Sequence, residues 1–150
     1  MVKVPAMSVD VEVVRAATDE LVKAFGRLLP QLSRSAGALD AAALTALVTW
    51  PGNRQLVARA DGEIVGALTL VLFPIPTGLR AWIEDVVVDE AARGMGVGAA
   101  LTREAVRLAR EAGARTVDLT SRPSRAAANR LYERLGFELR DSKVYRLATP

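Results

Sequence analysis

Apolar and polar residues alternate in two rhythms along this chain, and each change of rhythm marks an element. Short runs rich in β-branched residues, at 11–16, 55–60, 63–73 and 79–88, read as strands. The spacing Val97, Leu101, Ala105, Leu108, Ala112 follows a helical period instead, and Gly113 is a natural residue to end that helix. Thr18 followed by Asp19 and Glu20 gives an N-cap and an acidic first turn for a first helix ending near Pro30. A loop over 32–39 precedes Asp40, which caps a second helix through Thr49, and the Pro51-Gly52-Asn53 turn stops it. Asp61-Gly62 is a two-residue hairpin signal, whereas 74–78 breaks the chain before the next strand. Residues 116–120 form a strand after a helical crossover and should run parallel to the strand before it. Ser124 caps a last helix ending at Gly136, and 137–141 and 143–147 read as closing strands.

This order predicts an α/β fold: a mixed, mostly antiparallel sheet with a central parallel pair, flanked by about four helices. The 150 residues, half of them apolar, suit one domain with a sizeable core, residues 1–10 being a flexible or loosely packed lead-in.

Composition narrows the chemistry. The chain has no cysteine and no histidine, so disulfides, thiolate nucleophiles and the commonest metal ligand are excluded, and no metal site is expected. Proton transfer falls to Asp, Glu, Tyr, Lys, the backbone or water. No apolar stretch approaches the roughly 20 residues that span a bilayer, and the start lacks signal-peptide character, so a cytoplasmic location without a membrane partner is expected. Residues 1–92 carry net −3 and residues 93–150 net +6, which favours an anionic ligand on the second half. The basic residues lie singly and aromatics are scarce, which argues against nucleic acid.

In that basic half, Arg93-Gly94-Met95-Gly96-Val97-Gly98 lies between the apolar run at 82–88 and the helical pattern after it. A strand, a glycine turn and a helix start in that order expose backbone N–H groups at the positive end of a helix dipole, suited to phosphate or pyrophosphate. No Gly-Lys-Ser or Gly-Lys-Thr follows, which excludes a Walker-type loop. Gly94, Gly96 and Ala99 satisfy G-x-G-x-x-A, yet residues 89–93 separate them from the strand, and Asp118 falls inside a predicted strand instead of at its end. An NAD(P)-binding protein is therefore an alternative with a weak match.

The same six residues match the R/Q-x-x-G-x-G/A signature of the GNAT superfamily of acetyl-coenzyme A dependent N-acetyltransferases. A second segment, Ala128-Asn129-Arg130-Leu131-Tyr132-Glu133-Arg134-Leu135-Gly136-Phe137, resembles that family's A-x-x-L/F-Y-x-x-x-G-F stretch. The resemblance implies that backbone amides of Gly94, Met95, Gly96, Val97, Gly98 and Ala99 hold the pyrophosphate of acetyl-CoA, with Arg93 adding charge. It also implies that the strand backbone at Val86, Val87 and Val88 pairs with the pantetheine arm and that Asn129 hydrogen-bonds near it. Tyr132 would protonate the departing coenzyme A thiolate. On helix geometry alone, Asn129 and Tyr132 share a face, and the favoured reading there is a tyrosine that anchors the helix with its ring, an order that the family resemblance reverses.

The acceptor implied is a primary amine, on a small molecule or a peptide, which must lose a proton before it attacks the thioester. Glu84 is the candidate base, directly or through a water. It shares a strand face with Trp82 and Val86, while Asp85 points the other way unless a bulge intervenes. Both carboxylates are candidate contacts for the amine, and pairing of both with arginines is the structural alternative. Ile83-Glu84-Asp85-Val86 is also similar to the corresponding strand of glucosamine-6-phosphate acetyltransferases. Without cysteine, a thiol acyl-enzyme cannot form, and direct transfer in a ternary complex is the simpler mechanism. A noncatalytic acyl-CoA-binding sensor of the same fold is the alternative function, and the protein is expected as a monomer or homodimer.

Overall fold

The computed structural model describes residues 8–150, in two compact units: one through Thr120 and one of Ser121–Pro150. In the first unit the order is β1 (Val9–Val14), α1 (Asp19–Leu32), α2 (Ala41–Val48), β2 (Asn53–Ala60), β3 (Glu63–Ile75), β4 (Gly78–Val88), α3 (Val97–Glu111) and β5 (Thr116–Asp118). A 3-10 turn, Glu90–Ala92, lies between β4 and α3. The second unit contains α4 (Ala126–Arg134). Residues 1–7 of the expected lead-in lie outside the described residues, whereas Val9 and Asp10 belong to β1.

The five strands form one sheet in sequence order, antiparallel throughout except for the parallel pair β4–β5. Local signals place the helices as expected. Thr18 Oγ1 accepts from Leu21 N–H at 3.1 Å, and Asp40 Oδ1 from Ala43 N–H at 2.8 Å, so each satisfies a first-turn donor that has no helical acceptor. Pro30 lies inside α1 instead of ending it. It withholds only its own N–H, and Ser33 N–H still reaches Leu29 O at 3.0 Å.

Register assigns the two faces of the sheet. Val57, Ala67 and Val87 are cross-strand neighbours on one face and join Leu21, Ala24, Phe25 and Leu28 of α1 and Leu44 and Val48 of α2 in the core. On the other face α3 approaches very closely at Gly66. A Cβ there would lie 2.8 Å from Val97 Cγ1 and 3.2 Å from Leu101 Cδ1. Only a residue without a side chain lets the first turns of α3 sit this near β3.

Four expectations need correction. Residues 74–78 do not break the chain: β3 and β4 pair continuously as far as Ile75 and Gly78, closed by Pro76-Thr77. Pro74 is tolerated because β2 pairs with β3 only as far as Val71, so beyond it β3 has a free edge where no N–H is needed. Ser124 does not cap the last helix; Arg125 occupies that position without a side-chain cap bond. Residues 137–141 and 143–147 form no strands. Their alternation is real, but a strand needs a neighbour for its backbone groups, and Leu139, Val144, Tyr145 and Leu147 remain 70–99% exposed. The parallel pair therefore lies at one edge of the described sheet, with β5 outermost.

Candidate functional site

The chain leaves β4 through a short, heavily hydrogen-bonded loop. Asp89 N–H donates to Val65 O at 2.8 Å, and the Asp89 carboxylate accepts from Ala91 N–H at 3.1 Å. Gly94 and Gly96 then take φ of +83° and +79°, left-handed conformations that glycine adopts without strain. Gly96 is the N-cap of α3 and has no side chain to offer, and the first turn carries no acidic residue. The N–H groups of Val97, Gly98 and Ala99 accordingly have no intrahelical acceptor, and no other described residue caps them. Such a terminus, with three open donors at the positive end of a 15-residue helix, is a site for an anion. A Cβ at Gly94 or Gly96 would meet nothing within 4 Å, so backbone conformation, not crowding by protein, accounts for these two glycines.

Three residues that the sequence reading missed hold this loop. From α1, Arg27 Nε donates to Asp89 Oδ2 at 3.2 Å and its Nη2 to Ile64 O at 2.6 Å, while Gln31 Oε1 accepts from Glu90 N–H at 2.9 Å. The Ala91 N–H, helped by the Arg27 guanidinium, holds the Asp89 carboxyl below its usual range. Arg27 and Asp89 are 62 residues apart, and nothing local in the sequence pairs them.

Along β4 the ladder with β3 slips once. Glu84 faces Thr69 and Val87 faces Ala67, leaving Asp85 and Val86 together opposite Leu68. Asp85 has φ of +48°. This is a β-bulge, a device common beside active sites. It changes the face assignment made from strict alternation: the residue that shares a face with Trp82 and Glu84 is Val87, not Val86. Neither Glu84 nor Asp85 has an ion-pair partner among the described residues, so the arginine-pairing alternative finds no support. On its other edge, β4 pairs with β5 only from Arg80 to Trp82. Beyond Trp82 that edge, including Val86–Val88, has no strand partner among the described residues.

In the second unit, Asn129 Nδ2 donates to Arg122 O at 3.0 Å, tying α4 to the segment before it. Tyr132 is 8% exposed, its ring edge-on to Phe137 with centroids 5.9 Å apart. Gly136, at φ +97°, lets Phe137 N–H return to Tyr132 O at 3.0 Å, which fixes that pairing. Burial raises the phenol above its ordinary value, and its hydroxyl bonds to no described residue. The ring is packed against Phe137, and its hydroxyl is left over.

The sequence model of the Acetyltransferase (GNAT) family matches residues 19–137. The chain belongs to the GNAT acetyltransferase family. Among curated proteins, this GNAT chain is 34% identical over 92 residues to the L-amino acid N-acetyltransferase of Escherichia coli. It is 38% identical over 89 residues to the glucosamine 6-phosphate N-acetyltransferase of Trypanosoma brucei brucei. These matches cover 59% and 57% of the chain but only 56% and 58% of the relatives. Among solved structures, a Trypanosoma brucei acetyltransferase superposes with a TM-score of 0.76 at 27% identity, over 95% of this chain and 100% of the other. The GNAT match takes in the glycine loop, the bulge, Asn129 and Tyr132 together. Among the described residues no helix is long and apolar enough to cross a membrane, and no three acidic side chains gather as metal ligands.

Proposed function

We propose that this chain is an acetyl-CoA-dependent N-acetyltransferase that passes an acetyl group to a primary amine by direct attack in a ternary complex. The observation that carries the reading is the uncapped start of α3. Three free backbone donors, a left-handed glycine cap and no competing carboxylate fit a diphosphate, and the unpaired edge of β4 beside them fits an amide-bearing arm. Bound acetyl-CoA would supply an activated acyl group on a thiol leaving group.

The protein's own residues then have separate tasks. Gly94 to Ala99 would bind the diphosphate through main-chain N–H, with Arg93 adding charge, while Val86, Val87 and Val88 would present backbone groups to the pantetheine and Asn129 its amide. Glu84, free of ion pairs, would take a proton from the ammonium, directly or through water, with Asp85 as a second contact. Tyr132 Oη would hold its proton at neutral pH, since burial raises its pKa, and release it to the departing sulfur. The curated relatives act, by name, on L-amino acids and on glucosamine 6-phosphate, which supports a small primary amine as the acceptor. A soluble cytoplasmic monomer or homodimer accords with this reading.

The test is free-thiol release from acetyl-CoA across a panel of L-amino acids, amino sugars, aminoglycosides and polyamines. Thiol release dependent on one of them supports the reading. Saturable acetyl-CoA binding with no release for any amine would move the protein to the sensor class, and thermal stabilisation by NAD(P) in place of acetyl-CoA would overturn both.

A further inference from the structure

One row of polar side chains crosses the sheet face next to the bulge. Gln55 on β2, Thr69 on β3 and Glu84 on β4 are direct cross-strand partners, and so share a face. Gln55 is buried, with 1% exposure, and both of its side-chain polar atoms are hydrogen-bonded. Its Nε2 donates to Leu56 O and to Leu68 O, both at 3.2 Å, so its Oε1 can only accept. Thr69 Oγ1 meets that oxygen at 2.7 Å and must be the donor there. A hydroxyl has one proton. With that proton spent on Gln55, Thr69 offers only lone pairs to anything that approaches from the Glu84 side.

Resting on the transferase reading, we infer that Thr69 Oγ1 and the Glu84 carboxylate together form the subsite for the acceptor ammonium, and that buried Gln55 sets the direction of the Thr69 hydroxyl. An ammonium has three donors and no acceptor, which matches two groups that can only accept. An alcohol is matched less well, because it has a single proton for two acceptors. The rest of the face narrows the site. Val71 and Trp82 are partners on one side of the row, and Ala67 and Val87 on the other, so apolar side chains flank the polar pair, in which Thr69 is half-buried and Glu84 is exposed. Ala67 and Val87 are covered by the core, whereas Val71 and Trp82 are only half-buried, so the carbon skeleton next to the amine lies towards Trp82.

Steady-state kinetics of wild type, Thr69→Val and Thr69→Ser test this, with glucosamine 6-phosphate, L-methionine and spermidine as acceptor probes. Thr69→Val is expected to raise the amine KM by about 10-fold or more, the loss of one hydrogen bond to a charged group. Its acetyl-CoA KM should stay within about twofold of wild type, a bound that guards against general misfolding. Thr69→Ser, which keeps the hydroxyl, should restore the amine KM to within about threefold. Thr69 is half-buried, so water can satisfy Gln55 Oε1 in the variants, and Thr69→Ala replaces Thr69→Val should the latter not fold. An amine KM in Thr69→Val unchanged from an active wild type would overturn this inference alone. Absence of thiol release by wild type with these probes and with every other amine of the panel above would withdraw the transferase reading and this subsite with it.

Discussion

At the scale of single residues, substitutions at Tyr132 and Gly96 would separate the proposed chemistry from the proposed binding. Tyr132→Phe keeps the ring against Phe137 and removes only the hydroxyl, so turnover should fall by about 10²-fold while acetyl-CoA affinity holds within about twofold. Burial raises the phenol, so the acid form persists beyond the ordinary value near 10, and the alkaline loss of turnover in wild type should begin only above it. A pH–rate profile from 6 to 11 checks both statements. Gly96→Val acts differently. At φ +79° a β-branched residue is strained by about 1–2 kcal/mol, although its Cβ would touch nothing. Calorimetry should show coenzyme A binding lost while circular dichroism keeps the fold. The turn at Gly96 and the helix that carries Tyr132 were legible in the sequence because local spacing sets each of them.

At the scale of elements, what could be read from the sequence was whatever adjacent residues decide. Thr18 and Asp40 cap helices because each accepts from an N–H three residues on, and Asp61-Gly62 turns a hairpin through its own dihedral angles. The bulge at Asp85, the continuous pairing through Pro74 and the unpaired tail could not be read this way, since each depends on what a neighbouring strand does. Gly66 belongs with them, as its importance lies in α3. Gly66→Ala should cost about 1–3 kcal/mol through the close Val97 contact and lower the melting midpoint by several degrees, with acetyl-CoA binding weakened because α3 shifts. The Arg27–Asp89 tie predicts a pH effect on the same element. Asp89 has a folded pKa below its unfolded value of about 3.9, so its contribution is complete above that value and is lost as pH falls through the lower folded one. Hydrogen exchange at Glu90–Ala92 should therefore quicken in Asp89→Asn at neutral pH, and match wild type once both are well below pH 4.

At the scale of the whole molecule, charge is divided along the chain, with the excess of arginine after residue 92. A polyanionic substrate should feel that excess over a distance set by salt. Between about 0.1 and 1 M NaCl the screening length shrinks from about 10 to 3 Å, so the acetyl-CoA KM should rise several-fold while that of an uncharged-skeleton amine changes less. A KM for acetyl-CoA that is flat across the series would leave the main-chain donors alone responsible. The bulge has a different consequence for the molecule. Because Asp85 and Val86 share one partner, cutting Asp85 out of the chain would leave Val87 against Ala67 and Val88 against Gly66, as now. For folding, then, Asp85 is a supernumerary residue, kept in an uncomfortable conformation that the sheet does not require. A protein shortened by this one position should assemble normally and yet fail as a catalyst, so that the requirements of architecture and of activity could be told apart by a single codon.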